Sequence, residues 1–196
     1  MATHKNTKQH TTIATLLLFS IGLLFSCNTF AWTHKIGEIY GGGIVFYVYD
    51  GGLHGLIAAL ADQNTGTQWY NGIFKVTGAT GDGVGAGAMN TAMIVAAQID
   101  DAPSGKFAAK LCADYSVKAA DGVTYGDWYL PSKTELNLLH EQKYVVGASD
   151  YLYWSSTESD SYYASHYAWG QDFFFCYPVE GNKHDQSFRV RAVRAF

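Results

Sequence analysis

The chain has 196 residues, of which 48% are hydrophobic and 15% aromatic, so it can bury the core of one folded domain. It carries 13 basic and 17 acidic residues, a formal net charge of −4. This acidic balance disfavours binding to nucleic acids and other polyanions, although it leaves room for a local basic patch.

The first 31 residues have the pattern of a secretory signal peptide. Lys5 and Lys8 precede an uncharged apolar run, Ile13–Phe25, which is short for a bilayer-spanning helix of about 20 residues. Two processing sites compete: cleavage after Ala31, which we favour, and a lipoprotein box that would acylate Cys27. Either site predicts an extracytoplasmic protein, secreted or associated with the cell envelope, that contacts a membrane only through a lipid at Cys27.

Cleavage after Ala31 leaves residues 32–196, which we expect to form a single domain. This part retains 11 basic and 17 acidic residues, a formal net charge of −6. Two of its residues are cysteines, Cys112 and Cys176. In an oxidising compartment such a pair can form a disulfide if the two Cα atoms lie close enough.

The first elements along this domain are predicted to be a hairpin and a helix. Ile44–Tyr49 is rich in β-branched and aromatic residues, Asp50 begins a turn sequence, and Gly55–Leu60 returns as the second strand. A glycine-rich loop over residues 77–90 follows and ends at Asn90. We predict that Asn90 caps the N-terminus of a first helix over residues 91–99.

Two further helices and three strands complete the prediction. Over residues 105–117, five residues with apolar side chains fall on one helical face: Phe107, Ala108, Leu111, Cys112 and Tyr115. Ser132 and Glu135 have the spacing of a capping box and begin a third helix. Residues 151–157, 164–177 and 187–196 are predicted as strands. The order of elements indicates an α+β fold with an antiparallel sheet and two to three helices.

The residue pattern gives no catalytic or metal-binding constellation. Cys112 lies inside an apolar helical stripe rather than at a helix N-terminus, where a thiolate would be stabilised. The glycine-rich loop lacks the Lys-Ser/Thr ending of a phosphate-binding loop. The histidines show none of the close pairs that are typical of zinc sites. We therefore predict no cofactor and favour a non-catalytic function.

The segment YWSSTESDSYYASHYAW, residues 153–169, predicts a strand followed by a binding loop. In the strand, Leu152 and Trp154 should face the core, while Tyr151, Tyr153 and Ser155 face the other way. Residues 157–166 lose this alternation, and their tyrosine and serine content suits an adaptable recognition surface. We predict a ligand-binding face that contains Tyr162, Tyr163, His166, Tyr167, Trp169 and Gln171.

The arginines near the C-terminus are predicted to be structural. Arg189 and Arg191 alternate in phase along the last strand, and Arg194 joins their face only if a β-bulge precedes it. We predict that at least one of these arginines is a buried partner for a carboxylate such as Glu135 or Glu158.

Seven segments follow one another along about residues 38–196: GGGIVFYVYDGGLHGLIAA, GAGAMNT, AAKLCADY, DWYLPSKTELNLL, YWSSTE, AW and VRAVRAF. In this order they resemble the Lcl C-terminal-domain-like family, a domain of bacterial exported proteins named for a collagen-like adhesin. The pattern also resembles the wider C-type-lectin-like group, which includes formylglycine-generating enzymes and the variable ligand-binding proteins of diversity-generating retroelements. The resemblance implies a C-type-lectin-like α+β fold. Within these segments we predict structural roles for Trp128, Glu135, Trp154, Arg191 and Arg194.

The resemblance implies glycosaminoglycan binding for the adhesin relative, but this chain has no collagen repeats and an acidic charge that disfavours sulfated glycans. It also lacks a recognisable copper-binding cysteine pair, so the oxidase activity of the formylglycine enzymes is not carried over. We expect an exported, non-catalytic recognition or adhesion module that binds a surface glycan or a cell-surface protein. The alternatives are an enzyme on a formylglycine-generating-enzyme-like fold and a structural component of the envelope.

Overall fold

Residues 32–196 are described by the structure, a computed structural model, and they belong to one compact unit. The predicted signal peptide over residues 1–31, with its acylation site at Cys27, lies outside the described residues. In the part of the chain that is described, no helix is both long enough and apolar enough to cross a bilayer.

Residues 32–196 have a mixed α+β fold with three α-helices and three antiparallel sheets. The elements are β1 (Ile39–Tyr40), β2 (Gly43–Tyr49), β3 (His54–Ala59), α1 (Ala86–Gln98), α2 (Ala108–Ala113), β4 (Val117–Lys118), β5 (Thr124–Tyr125), α3 (Lys133–Glu141), β6 (Leu152–Glu158), β7 (Tyr167–Asp172), β8 (Tyr177–Asn182) and β9 (Val193–Ala195). The first sheet has the strand order β1-β2-β3-β9, the second pairs β4 with β5, and the third has the order β6-β7-β8.

The predicted N-terminal hairpin is present as β2 and β3. The two strands are joined by a short 3₁₀ turn at Asp50–Gly52, in which Gly51 and Gly52 have φ angles of 66° and 91° that favour glycine. The C-terminal strand β9 pairs with β3 in antiparallel register, with Ala58 opposite Val193. The two ends of the described chain therefore meet in one sheet.

The third helix begins as its sequence predicts. The Ser132 hydroxyl accepts a hydrogen bond from the backbone N–H of Glu135, and the Glu135 carboxylate accepts one from the backbone N–H of Ser132, which is a complete capping box. The second helix occupies only residues 108–113 of the predicted 105–117.

The predicted start of the first helix was wrong. Helix α1 begins at Ala86, so Asn90 lies inside it rather than at its N-cap. The Asn90 side chain instead exchanges two hydrogen bonds with the backbone of Gly81 and so holds the glycine-rich loop against the helix. A Cβ atom at Gly87 would lie 2.8 Å from the carbonyl oxygen of Leu130, so glycine in the first turn permits close packing there.

The strands near the C-terminus differ from the prediction in two places. Residues 164–177 contain β7 and the turn that leads into β8 rather than one strand, and residues 187–196 contain a regular strand only at Val193–Ala195. The hairpin turn is stabilised by the Asp172 carboxylate, which accepts hydrogen bonds from the N–H groups of Phe174 and Phe175. The predicted loop is present at residues 159–166, between β6 and β7.

Strand β6 is buried on both faces, which corrects its predicted orientation. Trp154 packs as expected in the first hydrophobic cluster, where its ring stacks on Phe188 at 3.7 Å. Tyr153, predicted to face away from the core, is fully buried in a second cluster together with Leu136 and Leu139 of α3. Helix α3 covers the face of the third sheet that the alternating sequence of β6 predicted to point away from the core. This packing places the N-terminus of α3 beside the partly buried Trp169 of β7.

Candidate ligand-binding site

Strand β7 presents a row of three side chains on one face of the third sheet. Tyr167, Trp169 and Gln171 alternate with Ala168 and Gly170, which are buried on the opposite face. Because alternate residues of a strand are about 6.8 Å apart, the row spans about 14 Å. We call these three residues the β7 row.

Trp169, the centre of the row, lies beside a cation. The Nζ atom of Lys133, the first residue of α3, lies 4.1 Å from the centroid of the Trp169 ring, within the range of a cation–π interaction. The backbone N–H of Lys133 donates to the Thr157 hydroxyl oxygen at 2.9 Å, and the Ser155 hydroxyl donates to the Trp169 carbonyl oxygen at 2.7 Å. Contacts with β6 thus fix the backbone at both residues.

Gln171, at one end of the row, has an unsatisfied amide. Its side chain is 1% exposed, and its Nε2 atom has no hydrogen-bond partner among the described residues. A buried polar group without a partner costs about 1–3 kcal/mol, so such a group indicates strain or a place for a ligand. Gln171 borders a cleft of about 250 Å³ that is also lined by Lys133, Thr134, Asn137, Leu138 and Pro178.

A second cleft lies at the other end of the row. It has a volume of about 270 Å³ and is lined by Tyr163, His166, Tyr167 and Asn182. The His166 ring stacks on Phe74 with 4.3 Å between the ring centroids. The two clefts and the β7 row place aromatic rings, hydroxyl groups and amides along one strand.

Opposite charges flank the centre of the row. Lys133 approaches Trp169 from α3, and Glu180 of β8 lies opposite Trp169 in the strand register. The Ser159 hydroxyl donates to the Glu180 carboxylate at 2.5 Å. The polar groups that surround the row are therefore mixed in sign rather than uniformly basic.

The structure brings together five of the six predicted ligand-binding residues. Tyr163, His166 and Tyr167 line one cleft, Gln171 lines the other, and Trp169 stands between Tyr167 and Gln171 in the row. Tyr162 is 94% exposed, lines neither cleft, and makes an edge-to-face contact with Tyr163.

Sequence reasoning missed the residues that helix α3 and strand β8 contribute, namely Lys133, Thr134, Asn137 and Asn182. Lys133 and Asn137 are four residues apart, so they lie on one face of α3. The amphipathic pattern of α3 could have indicated this polar face. Its proximity to β7 depends on tertiary packing that no local pattern encodes.

Glu135 has a structural environment that does not include an arginine, which corrects one predicted pairing. Its carboxylate accepts hydrogen bonds from the backbone N–H groups of Gly85 and Ser132 and from the Tyr129 hydroxyl. Burial raises the pKa of Glu135, while these hydrogen bonds act in the opposite direction. Glu135 therefore joins the start of α1 to the capping box of α3.

Glu158 was also assigned the wrong partner. It pairs with Lys183 at 2.5 Å, both side chains are fully buried, and its carboxylate accepts further hydrogen bonds from the N–H groups of Thr77 and Gly78. Burial lowers the pKa of Lys183, and the hydrogen bond to Glu158 opposes this shift. The pair fastens the glycine-rich loop to β6.

The partners of the arginines are aspartates from distant parts of the chain. The Nε atom of Arg191 lies 2.7 Å from Asp62, and that of Arg194 lies 2.7 Å from Asp127. Arg189 also reaches Asp62, at 3.0 Å. The other predicted structural residues, Trp128 and Trp154, are buried and donate their indole N–H groups to the carbonyl oxygens of Tyr125 and Thr67.

The two cysteines of the described residues are not joined, so the structure does not contain the disulfide considered above. Cys112 is buried in α2, where burial raises the pKa of its thiol, and Cys176 is exposed in the turn between β7 and β8. Among residues 32–196, no three His, Cys, Asp or Glu side chains lie close enough to hold a metal ion.

No family model matches the chain, and no curated protein matches it either.

Proposed function

We propose that the chain is an exported, non-catalytic recognition module that binds a surface glycan through the β7 row, with a cell-surface protein as the alternative ligand. We further propose a C-type-lectin-like fold and membership of the Lcl C-terminal-domain-like family. The α+β architecture and the order of the quoted segments support this assignment. The apolar run near the N-terminus supports export.

The unpartnered amide of Gln171 is the observation that carries the proposal. Its Nε2 atom is buried beside a cleft to which Thr134 and Asn137 add a hydroxyl and an amide. Sugar hydroxyls both accept and donate hydrogen bonds, so they satisfy such groups, while a flat indole such as that of Trp169 can pack against a sugar ring. A small rotation of this side chain toward the cleft that it borders would let a ligand supply the acceptor that Gln171 lacks in the described residues.

The charges favour an uncharged glycan. Residues 32–196 have a formal net charge of −6, and Lys133 is balanced across the row by Glu180. A sulfated chain would meet repulsion from the molecule as a whole. The β7 row offers stacking and hydrogen bonds, which do not require a charged ligand.

The test is a glycan array probed with residues 32–196 and two variants. Gln171→Leu removes the unsatisfied amide, so we expect it to leave the stability unchanged or raise it by about 1 kcal/mol. We also expect Gln171→Leu and Trp169→Ala to reduce glycan binding at least about tenfold, since one loses a hydrogen bond and the other a ring contact.

Tyr144→Ala is the matched control, because Tyr144 is 85% exposed and lines neither cleft of the row. It should bind glycans like the wild type. Full binding by Gln171→Leu and Trp169→Ala would exclude the row. Failure of the wild type on every glycan, with attachment to protease-treated cells lost, would assign a protein ligand instead.

A further inference from the structure

The turn between β7 and β8 exposes a cluster of aromatic side chains that no contact in the described residues explains. Phe174, Phe175 and Tyr177 are 62%, 65% and 50% exposed, respectively. The Phe174 and Phe175 rings pack edge to face at 4.8 Å, and Phe175 stacks on Tyr177. We call these three residues the aromatic tip. Exposing three neighbouring large apolar side chains to water costs free energy, so the cluster indicates a surface that binds a partner.

The turn holds the aromatic tip in a fixed shape. The Asp172 carboxylate accepts hydrogen bonds from the N–H groups of Phe174 and Phe175, and the Asp172 carbonyl oxygen accepts one from the N–H of Cys176. Cys176 has a φ angle of 65°, in the left-handed region that costs a non-glycine residue free energy. The rings are therefore presented by an ordered turn.

The backbone of the turn is suited to an apolar medium. The N–H groups of residues 173–176 all donate within the chain, with that of Phe173 bound to the Tyr151 carbonyl oxygen. The Phe173 carbonyl oxygen accepts a hydrogen bond from Lys143, and Pro178 has no N–H to satisfy. Internal partners for these donors lower the cost of the partial dehydration that accompanies insertion into a bilayer surface.

The charges around the tip suit a lipid surface without net charge. Residues 173–179 form an uncharged run. The charged side chains beside it are Asp172 at its base and Lys143, which donates to the Phe173 carbonyl oxygen and pairs with Asp150. These groups carry one more negative than positive charge, so they give anionic headgroups no net attraction, while aromatic rings favour the membrane–water interface. A bilayer of zwitterionic lipids therefore fits the apolar tip.

The aromatic tip alone is smaller than a specific protein interface. Aromatic side chains bury about 150–250 Å² each when fully covered, and these three are only 50–65% exposed. Their sum is well below the roughly 800 Å² per partner that a specific protein interface buries, so a protein partner would also have to cover the polar surface around the tip. Insertion into lipid needs no such area, because the surrounding bilayer adapts to a small apolar wedge.

We propose that the aromatic tip, Phe174, Phe175 and Tyr177, inserts into the interfacial region of a membrane rich in zwitterionic lipids. This contact is independent of a lipid at Cys27 and of the glycan site. It gives the exported domain a weak, reversible attachment to a membrane surface. The attachment lies at the end of the hairpin whose face carries the β7 row.

The test is flotation of residues 32–196 with phosphatidylcholine vesicles. This part of the chain has its own hydrophobic clusters and contains neither the apolar run nor Cys27, so neither can cause binding. We expect the wild type to float and the double variant Phe174→Ser, Phe175→Ser to partition at least about tenfold less. Replacing a third of the lipid with phosphatidylglycerol should lower the partition of the wild type.

The matched control is the double variant Tyr162→Ser, Tyr163→Ser, which removes another exposed edge-to-face aromatic pair, with 5.1 Å between ring centroids. It should float like the wild type.

A fluorescent dye on Cys176 gives a second measurement. The emission of a polarity-sensitive dye there should shift to shorter wavelength when vesicles are added, and the buried Cys112 escapes labelling. A wild type that stays in the lipid-free fraction, or an equal loss in both double variants, would overturn the proposal. Glycan-array binding by the Phe174/Phe175 variant, done without lipid, separates this result from the β7-row proposal.

Discussion

At the scale of single residues, Arg191 and Arg194 look alike in sequence but differ in what they support. Arg191 pairs with Asp62, which is largely buried, and donates to the carbonyl oxygens of Ala59 and Val146. Arg194 pairs with Asp127, whose side chain is 60% exposed. Loss of Arg191 would leave buried acceptors unpaired, whereas Asp127 can be solvated by water once Arg194 is gone.

We therefore predict that Arg191→Ala lowers the free energy of unfolding by about 3–5 kcal/mol, because it breaks a buried ion pair. Arg194→Ala is the matched comparison and should cost clearly less. Urea denaturation of residues 32–196 and both variants gives the two values. A loss at Arg191 as small as that at Arg194 would show that Arg189 alone pairs Asp62 well enough. Wild-type stability in both variants would contradict a structural role for the two arginines.

At the scale of elements, local chemistry explains which predictions succeeded. The third helix was predicted correctly because Ser132 and Glu135 specify its start within four residues. The β7–β8 hairpin was missed because its turn, FFFC, contains no glycine, proline or asparagine, and its shape comes from the Asp172 side chain. The three residues of the β7 row were predicted because aromatic and small residues alternate along this segment. Lys133 and Asn137 were missed because they come near the row only through tertiary packing.

Helix α3 also carries a group whose titration should affect stability. His140 packs edge-on against Phe173, and its Nε2 atom is buried with no partner among the described residues. Burial lowers its pKa, nearby Lys143 acts in the same direction, and Glu141 and Asp150 partly oppose them. The folded protein thus binds the proton less readily than the unfolded chain does.

The sign of the pH effect follows from this depressed pKa. As the pH falls through the unfolded value near 6.5 toward the lower folded value, the unfolded state takes up more protons and stability is lost. We predict that His140→Phe, which keeps a ring against Phe173, removes this part of the loss between pH 7 and pH 5. Thermal melting across that range measures it. A variant whose melting temperature falls with pH as steeply as that of the wild type would contradict the prediction.

At the scale of the whole molecule, the described domain closes its first sheet, while the third sheet leaves Tyr167 and Trp169 of β7 partly exposed. Strand β9 seals the first sheet beside the N-terminal hairpin, and the aspartate–arginine pairs join the loops around it. None of the three residues of the β7 row takes part in these ion pairs. Substitutions in the row should change binding more than stability.

The net charge of the domain leads to a final prediction, about salt. A formal charge of −6 repels polyanions over the screening length of about 8 Å at physiological ionic strength, and a neutral ligand held by stacking and hydrogen bonds gains nothing from counterion release. We expect residues 32–196 to pass unretained through immobilised heparin, and the affinity for the best neutral glycan to change less than about twofold from 50 to 500 mM salt. Lys133→Gln removes the cation of the row and should keep glycan affinity within about threefold. Two results together would instead identify an anionic ligand at this face. The wild type would be retained on heparin while Lys133→Gln is not, and the ligand affinity of the wild type would fall steeply with added salt.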